Sequence, residues 1–163
     1  MRKIFSLCTF VVVYFILSTG VAFAANWKWV ASDDLYGIFF DTDTIRYLST
    51  PDSPIDETTI ICWEKCIHTQ KAADKIATAM EDPSLRNLKY TIELKAYSLS
   101  ERRYIIIKIA GYRYDGKLLF EIDGSKKPLL IYPDSRAETL YKSIRDYASR
   151  HHDELVEHTL GNK

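Results

Sequence analysis

The chain has 163 residues, 47% hydrophobic, 13% aromatic and 27% charged, and its 22 Lys and Arg balance 22 Asp and Glu. That is the composition of one ordinary globular domain and excludes a disordered or fibrous chain. Balanced charge gives no electrostatic reason to expect DNA, RNA or an anionic membrane surface as a partner.

The first 24 residues read as a segment apart from the fold. Arg2 and Lys3 open it, an apolar run with few breaks follows from Ile4 to Leu17, and Ala22-Phe23-Ala24 closes it. A charged start, a short apolar middle and a small-x-small exit predict a secretory signal peptide cleaved before Ala25. The apolar run of 14 residues falls short of the roughly 20 that a spanning helix needs. The expected mature protein is a single exported domain, residues 25–163, with no membrane span. It carries 20 basic and 22 acidic residues. Cys8 departs with the leader and lacks the small residues that precede a lipid-modified cysteine. Periplasm, cell surface and release are equally compatible with this leader.

Short strands open the mature chain. Trp27-Lys28-Trp29-Val30 alternates, Ser32-Asp33-Asp34 is turn material, and Tyr36 to Phe40 is aromatic and β-branched. Asp41-Thr42-Asp43 turns the chain into Thr44 to Leu48. Ser49 to Glu57, with Pro51 and Pro54, is a loop. Thr58 to Ile67 is the next strand, dense in Ile, Thr and Trp63. Ala72, Ala73, Ile76, Ala77 and Met80 then recur at three- and four-residue spacing, predicting a short helix from Thr69 to Glu81 that Asp82-Pro83 stops.

Three strands follow. Tyr90 to Leu99 places Tyr90, Ile92, Leu94 and Ala96 on one face and Thr91, Glu93 and Lys95 on the other. Tyr104 to Tyr114 is next, and Asp115-Gly116 predicts a type I′ hairpin into Lys117 to Ile122. The last element is a helix. Ser135 and Glu138 form a capping box. Ala137, Leu140, Tyr141, Ile144, Tyr147 and Ala148 line one face, opposite Lys142, Arg145, Asp146 and Arg150. So one-sided a helix needs a partner surface. The expected fold is α+β: an antiparallel meander of about five to six strands, one short inserted helix, and a C-terminal amphipathic helix on the sheet.

Chemistry-bearing patterns are sparse. Cys62 and Cys66 match neither C-x-x-C nor a four-ligand zinc set. Four apart in a strand, they share a face about 13 Å apart, beyond the reach of a disulfide. Two buried thiols is the reading, with a bond at a local bulge or to a second chain as alternatives. His151, Glu154 and His158 fall at i, i+3 and i+7 and could meet one metal, although charged helix ends commonly hold such residues in water. His68 reads as a surface or capping residue. Asp41/Asp43 and Asp33/Asp34 are acidic pairs that could do acid/base work, but both sit where turns are expected. The Asp41 segment lacks the glycine and the twelfth-position Glu of a calcium loop. No G-x-S-x-G and no glycine-rich phosphate loop occurs. Tyr97, Tyr104, Tyr112 and Tyr114 either pack beneath the helix or form a binding surface. No catalytic, cofactor or metal residue is assigned.

Several segments in order resemble the surface-adhesin protein E-like domain of bacterial exported proteins. These are Trp27-Lys28-Trp29-Val30, Asp33-Asp34, Gly37-Ile38-Phe39-Phe40-Asp41 with Thr44-Ile45, then Tyr112 to Lys117, and Ile131-Tyr132-Pro133-Asp134-Ser135. Together they span most of residues 27 to 148. The resemblance implies an antiparallel sheet backed by a C-terminal helix, and an adhesive role toward host matrix or plasma proteins. The chain departs from that family in lacking a lipid-acceptor cysteine at the cleavage site and a cysteine near the C-terminus. The expected function is thus an exported, non-enzymatic binding module with a protein partner. A small enzyme or metal-dependent protein using Asp41/Asp43 or His151/Glu154/His158 is the alternative, and a homodimer joined through a strand edge or Cys62/Cys66 is a third.

Overall fold

The computed structural model describes residues 25–50, 54–125 and 127–161. The expected leader and Pro51 to Ser53 of the loop lie outside them. In chain order the described elements are β1 (Trp27–Ser32), β2 (Tyr36–Asp41), β3 (Arg46–Leu48), β4 (Asp56–His68), α1 (Gln70–Ala79), a 3-10 turn (Pro83–Asn87), β5 (Leu88–Ser98), β6 (Arg103–Arg113), β7 (Leu118–Asp123), β8 (Leu129–Leu130), α2 (Arg136–Arg150) and α3 (His152–Gly161). The class is α+β.

All strand pairs are antiparallel, in the order β1-β2-β4-β5-β6-β7. Eight strands replace the expected five to six. The excess has a simple origin. β4 and β6 are 13 and 11 residues long and outrun their neighbours on one side. The leftover edge of β4 is taken by three-residue β3 (Tyr47 opposite Ile60), and that of β6 by two-residue β8 (Tyr104 opposite Leu129). Strand β3 falls within the expected Thr44 to Leu48 segment, whereas two-residue β8 leaves no alternation to read in a sequence.

Cross-strand pairs share a face, so the register sorts the sheet into two sides. Ile38, Phe40, Ile60, Cys62, Glu64, Cys66, His68, Thr91, Glu93, Lys95 and Tyr97 lie on one side. Phe39, Ile61, Trp63, Lys65, Ile67, Tyr90, Ile92, Leu94 and Ala96 lie on the other. Along β4 the first set is buried from Ile60 onward and the second is only half-buried. The covering element is α2. Its Leu140, Tyr141, Ile144, Tyr147 and Ala148 join Ile38, Phe40, Ile60, Cys62 and Tyr97 in one core. Tyr147 meets Phe40 edge-on at 5.5 Å, and the Tyr141 hydroxyl donates to the Leu99 carbonyl at 2.8 Å. The expected helix-on-sheet packing is present. The covered side of β5, however, carries the charges, while the apolar stripe Tyr90-Ile92-Leu94 faces outward.

Several local expectations need correction. The C-terminal helix is two helices, broken at His151, whose φ of −121° and ψ of 30° leave the helical region. Beyond the break, α3 docks on β3: the Thr159 hydroxyl accepts the Tyr47 N–H at 3.1 Å and donates to the Leu155 carbonyl. The β6–β7 turn is not type I′, because only Gly116 has positive φ (+78°) and Asp115 does not. The Gly116 N–H bonds the Arg113 carbonyl and the Arg113 N–H bonds the Lys117 carbonyl, the three-residue loop with glycine in the left-handed position. Helix α1 is capped by Thr69 and ends at Ala79, leaving Met80 exposed at 68%. β4 begins at Asp56, inside the expected loop.

Ile144 has no exposed surface. Ile144→Ala is expected to cost roughly 2–5 kcal/mol, read by urea denaturation. Asp146→Ala, on the exposed side of the same helix, should change stability by less than about 0.5 kcal/mol.

Candidate functional site

Of the acidic pairs from the sequence, Asp33 and Asp34 lie between β1 and β2, Asp41 ends β2 and Asp43 lies in the turn that follows. Asp41 is buried, and its carboxylate accepts the N–H groups of Asn26 at 2.9 Å and Asp43 at 3.2 Å. Asp43 itself is exposed. Asp33 accepts the N–H groups of Leu35 and Tyr36, and these two bonds hold its carboxyl below the usual range. His151 pairs with Glu154 at 2.9 Å and stacks on Tyr147 at 4.2 Å. Among the described residues no group of three or more His, Cys, Asp or Glu side chains is placed to hold one metal ion. Ser135 caps α2 through the Glu138 N–H. Glu138 bonds the Asp134 N–H, Arg102 and Lys142, which together hold its carboxyl at about 2.

Cys62 and Cys66 are free and buried on the covered face. Burial raises Cys62 well above the usual thiol value and Cys66 to about 11, although Arg136 lies close to Cys66 and pulls the other way. Both therefore stay protonated near neutral pH and are poor nucleophiles.

Between these cysteines sits a cluster that the sequence reading passed over. Glu64 is 4% exposed in the middle of β4. One of its oxygens accepts the Tyr97 hydroxyl and the other accepts Lys95 Nζ at 2.7 Å. Lys95 also holds Glu93 at 2.8 Å. Glu93 accepts the Thr91 hydroxyl at 3.4 Å, and Thr91 lies 3.3 Å from His68 Nε2. Burial raises Glu64 despite its partners. Burial acts likewise on Glu93, but Lys95, Arg136 and Thr91 outweigh it and leave that carboxyl lowered. Lys95 is raised because its two carboxylates overcome its own desolvation. Tyr97 is raised well above normal, chiefly by burial and next by Glu64. A glutamate in the Ile60-to-Ile67 part of β4, on the same side as Ile60, Cys62 and Cys66, was the sequence signal for this network, since a buried carboxylate demands a partner.

His68, expected at the surface or as a cap, is buried at 5% exposure against Tyr36. Burial, then Arg136, lowers it to about 4 against the opposing pull of Glu93. A cavity of about 200 Å³ opens beside the cluster, between Glu64, Glu93 and Lys95 on the sheet and Arg136 and Leu140 on α2. Tyr97 and Tyr104 stack at 5.6 Å on this covered side.

The opposite face has different chemistry. Lys65 Nζ lies 4.7 Å from the centre of the Tyr90 ring and 5.4 Å from that of Trp27. Tyr90 stacks on Tyr112 at 4.9 Å, with Trp63, Ile92 and Leu94 alongside in register. Among the described residues no acidic side chain forms an ion pair with Lys65, and no helix is long and apolar enough to cross a membrane. The tyrosines are thus divided: Tyr97 and Tyr104 lie beneath α2, Tyr112 on the open side, and Tyr114 is exposed in the turn.

No protein-family model and no curated protein matches the chain.

Lys95→Met strands two carboxylates on the covered face and should cost about 3–5 kcal/mol; adding Glu64→Gln should restore part of it, as measured by urea denaturation. The folded value of His68 lies below its unfolded one, so its contribution is complete above about pH 6.5 and is lost as pH falls toward 4. His68→Gln should flatten the stability profile in that window by about 2 kcal/mol relative to the unsubstituted protein.

Proposed function

We propose that the protein is an exported, non-enzymatic binding module that engages a protein partner through the uncovered face of its sheet. The observation that carries this reading is the ordered aromatic row on that face, with Lys65 held between Trp27 and Tyr90 and free of any described acidic partner. Aromatic anchors dominate binding energy at protein interfaces, and an apolar sheet face left by the covering helices is where they would act. A complementary partner brings an apolar patch with a carboxylate for the Lys65 ammonium. Export is inferred from the leader-like composition of residues 1–24, and adhesion from the resemblance to the adhesin E-like family.

A face suits this role better than an edge. The edge strands β1 and β7 both show register shifts, at Trp29/Ala31 and opposite Gly111/Tyr112. Such bulges twist an edge away from pairing with another chain. The alternative built on Asp41 and Asp43 has no support in the geometry, because the Asp41 carboxylate is already occupied by backbone N–H groups.

Protein purified after export should bind at least one immobilised host matrix or plasma protein at about micromolar affinity. The Trp63→Ala/Lys65→Glu double variant should bind at least about tenfold more weakly with unchanged circular dichroism. Equal binding by the variant, or none by the parent at that concentration, would overturn the proposal.

A further inference from the structure

The covered side of the sheet holds a second feature, independent of the partner surface. The cavity beside Glu64 and Lys95 adjoins a larger one of about 540 Å³, and the two meet at Tyr104, Ser135 and Ala137. The larger cavity is walled by Leu129, Leu130 and Tyr132, which are 38%, 51% and 65% exposed. One end of this cleft is thus polar and the other apolar, within the size range of small-molecule sites.

The charges in the cleft are unequally spent. Glu64 and Glu93 are both committed to Lys95. Arg136 is not committed. Its guanidinium stacks 4.5 Å from the centre of the Tyr36 ring and contacts the Cys66 sulfur at 3.9 Å, but forms no ion pair among the described residues. Asp33 and Glu93 both feel its field without closing a bridge. Lys127, exposed on the apolar cavity, is likewise outside every ion pair of the described residues. Across the cleft Glu64 and Glu93 face Lys95, Arg136 and Lys127, so the positive charge is in excess by one, and it borders an apolar wall. This does not rest on the first turn of α2, whose Glu138 already bonds the Asp134 N–H.

We propose that this cleft binds a small organic carboxylate carrying an apolar group, with the carboxylate on Arg136 and the tail against Leu130 and Tyr132. Arg presents a planar fork matched to a carboxylate, which Lys and neutral donors do not reproduce.

The test is a titration of the full mature protein with 3-phenylpropionate, 3-phenylpropanamide and 3-phenylpropylamine, followed by ¹H–¹⁵N NMR. The carboxylate should shift Leu130 and Arg136 resonances with a Kd of about 1 mM and bind at least about tenfold more tightly than the amide or the amine. Arg136→Gln should bring the carboxylate down to the amide's level, whereas Leu130→Ser should weaken both alike. Equal affinity for acid and amide, preference for the amine, or no shift of these residues at about 10 mM carboxylate would overturn the proposal. Because the site and the partner surface lie on opposite faces, failure of one leaves the other standing.

Discussion

Burial of one sheet face beneath α2 is the constraint on which the other features depend. The register of β4 makes alternate residues strict opposites: Ile60 and Cys62 enter the core while Ile61 and Trp63 cannot. Once Leu140, Tyr141, Ile144 and Tyr147 settle on Phe40, Ile60 and Tyr97, the outward face is fixed without further choice. A one-residue slip of β4 would exchange the two sets and bury Lys65 in place of Glu64. The short strand β3 and helix α3 then close the same side, through the Thr159 hydroxyl on the Tyr47 N–H.

That arrangement sets a difficulty which the ionic cluster resolves. α2 lies over a face whose far half is polar, so Glu64 and Glu93 lose water and must be answered within the protein. Lys95 serves both, and Tyr97 occupies the remaining side of Glu64. A buried network of this kind is weak evidence of stability in itself. With two carboxylates sharing Lys95, Arg136 beside the same cavity adds a second cation whose field reaches Glu93.

Much of the fold was legible in the sequence, because the long elements obey a single period. The helical spacing of Leu140, Tyr141, Ile144 and Tyr147, the Ser135 cap and the meander from Tyr90 to Ile122 are all read from local pattern. What was not legible depends on contacts distant in sequence. β8 exists only because β6 has a free edge at Tyr104. Alternation sorted Thr91, Glu93 and Lys95 from Tyr90, Ile92 and Leu94 but did not say which set is covered, and that choice was made by α2, about forty residues later. His68 looked like a surface residue because Thr69 is the true helix cap and Tyr36, from another strand, covers the ring. The candidate binding features follow the same rule. Tyr112 and Trp27 stand out singly in the sequence, but together with Lys65 and Tyr90 they become a row only through the register of the strands.

Hydroxyl-radical footprinting of the native protein, read residue by residue by mass spectrometry, addresses the division of the sheet most directly. The account predicts rapid modification of Trp63, Tyr90 and Tyr112, with Phe40, Tyr97 and Tyr147 protected until the protein unfolds. Protection of Trp63 and Tyr90 together with exposure of Phe40 or Tyr97 would contradict it.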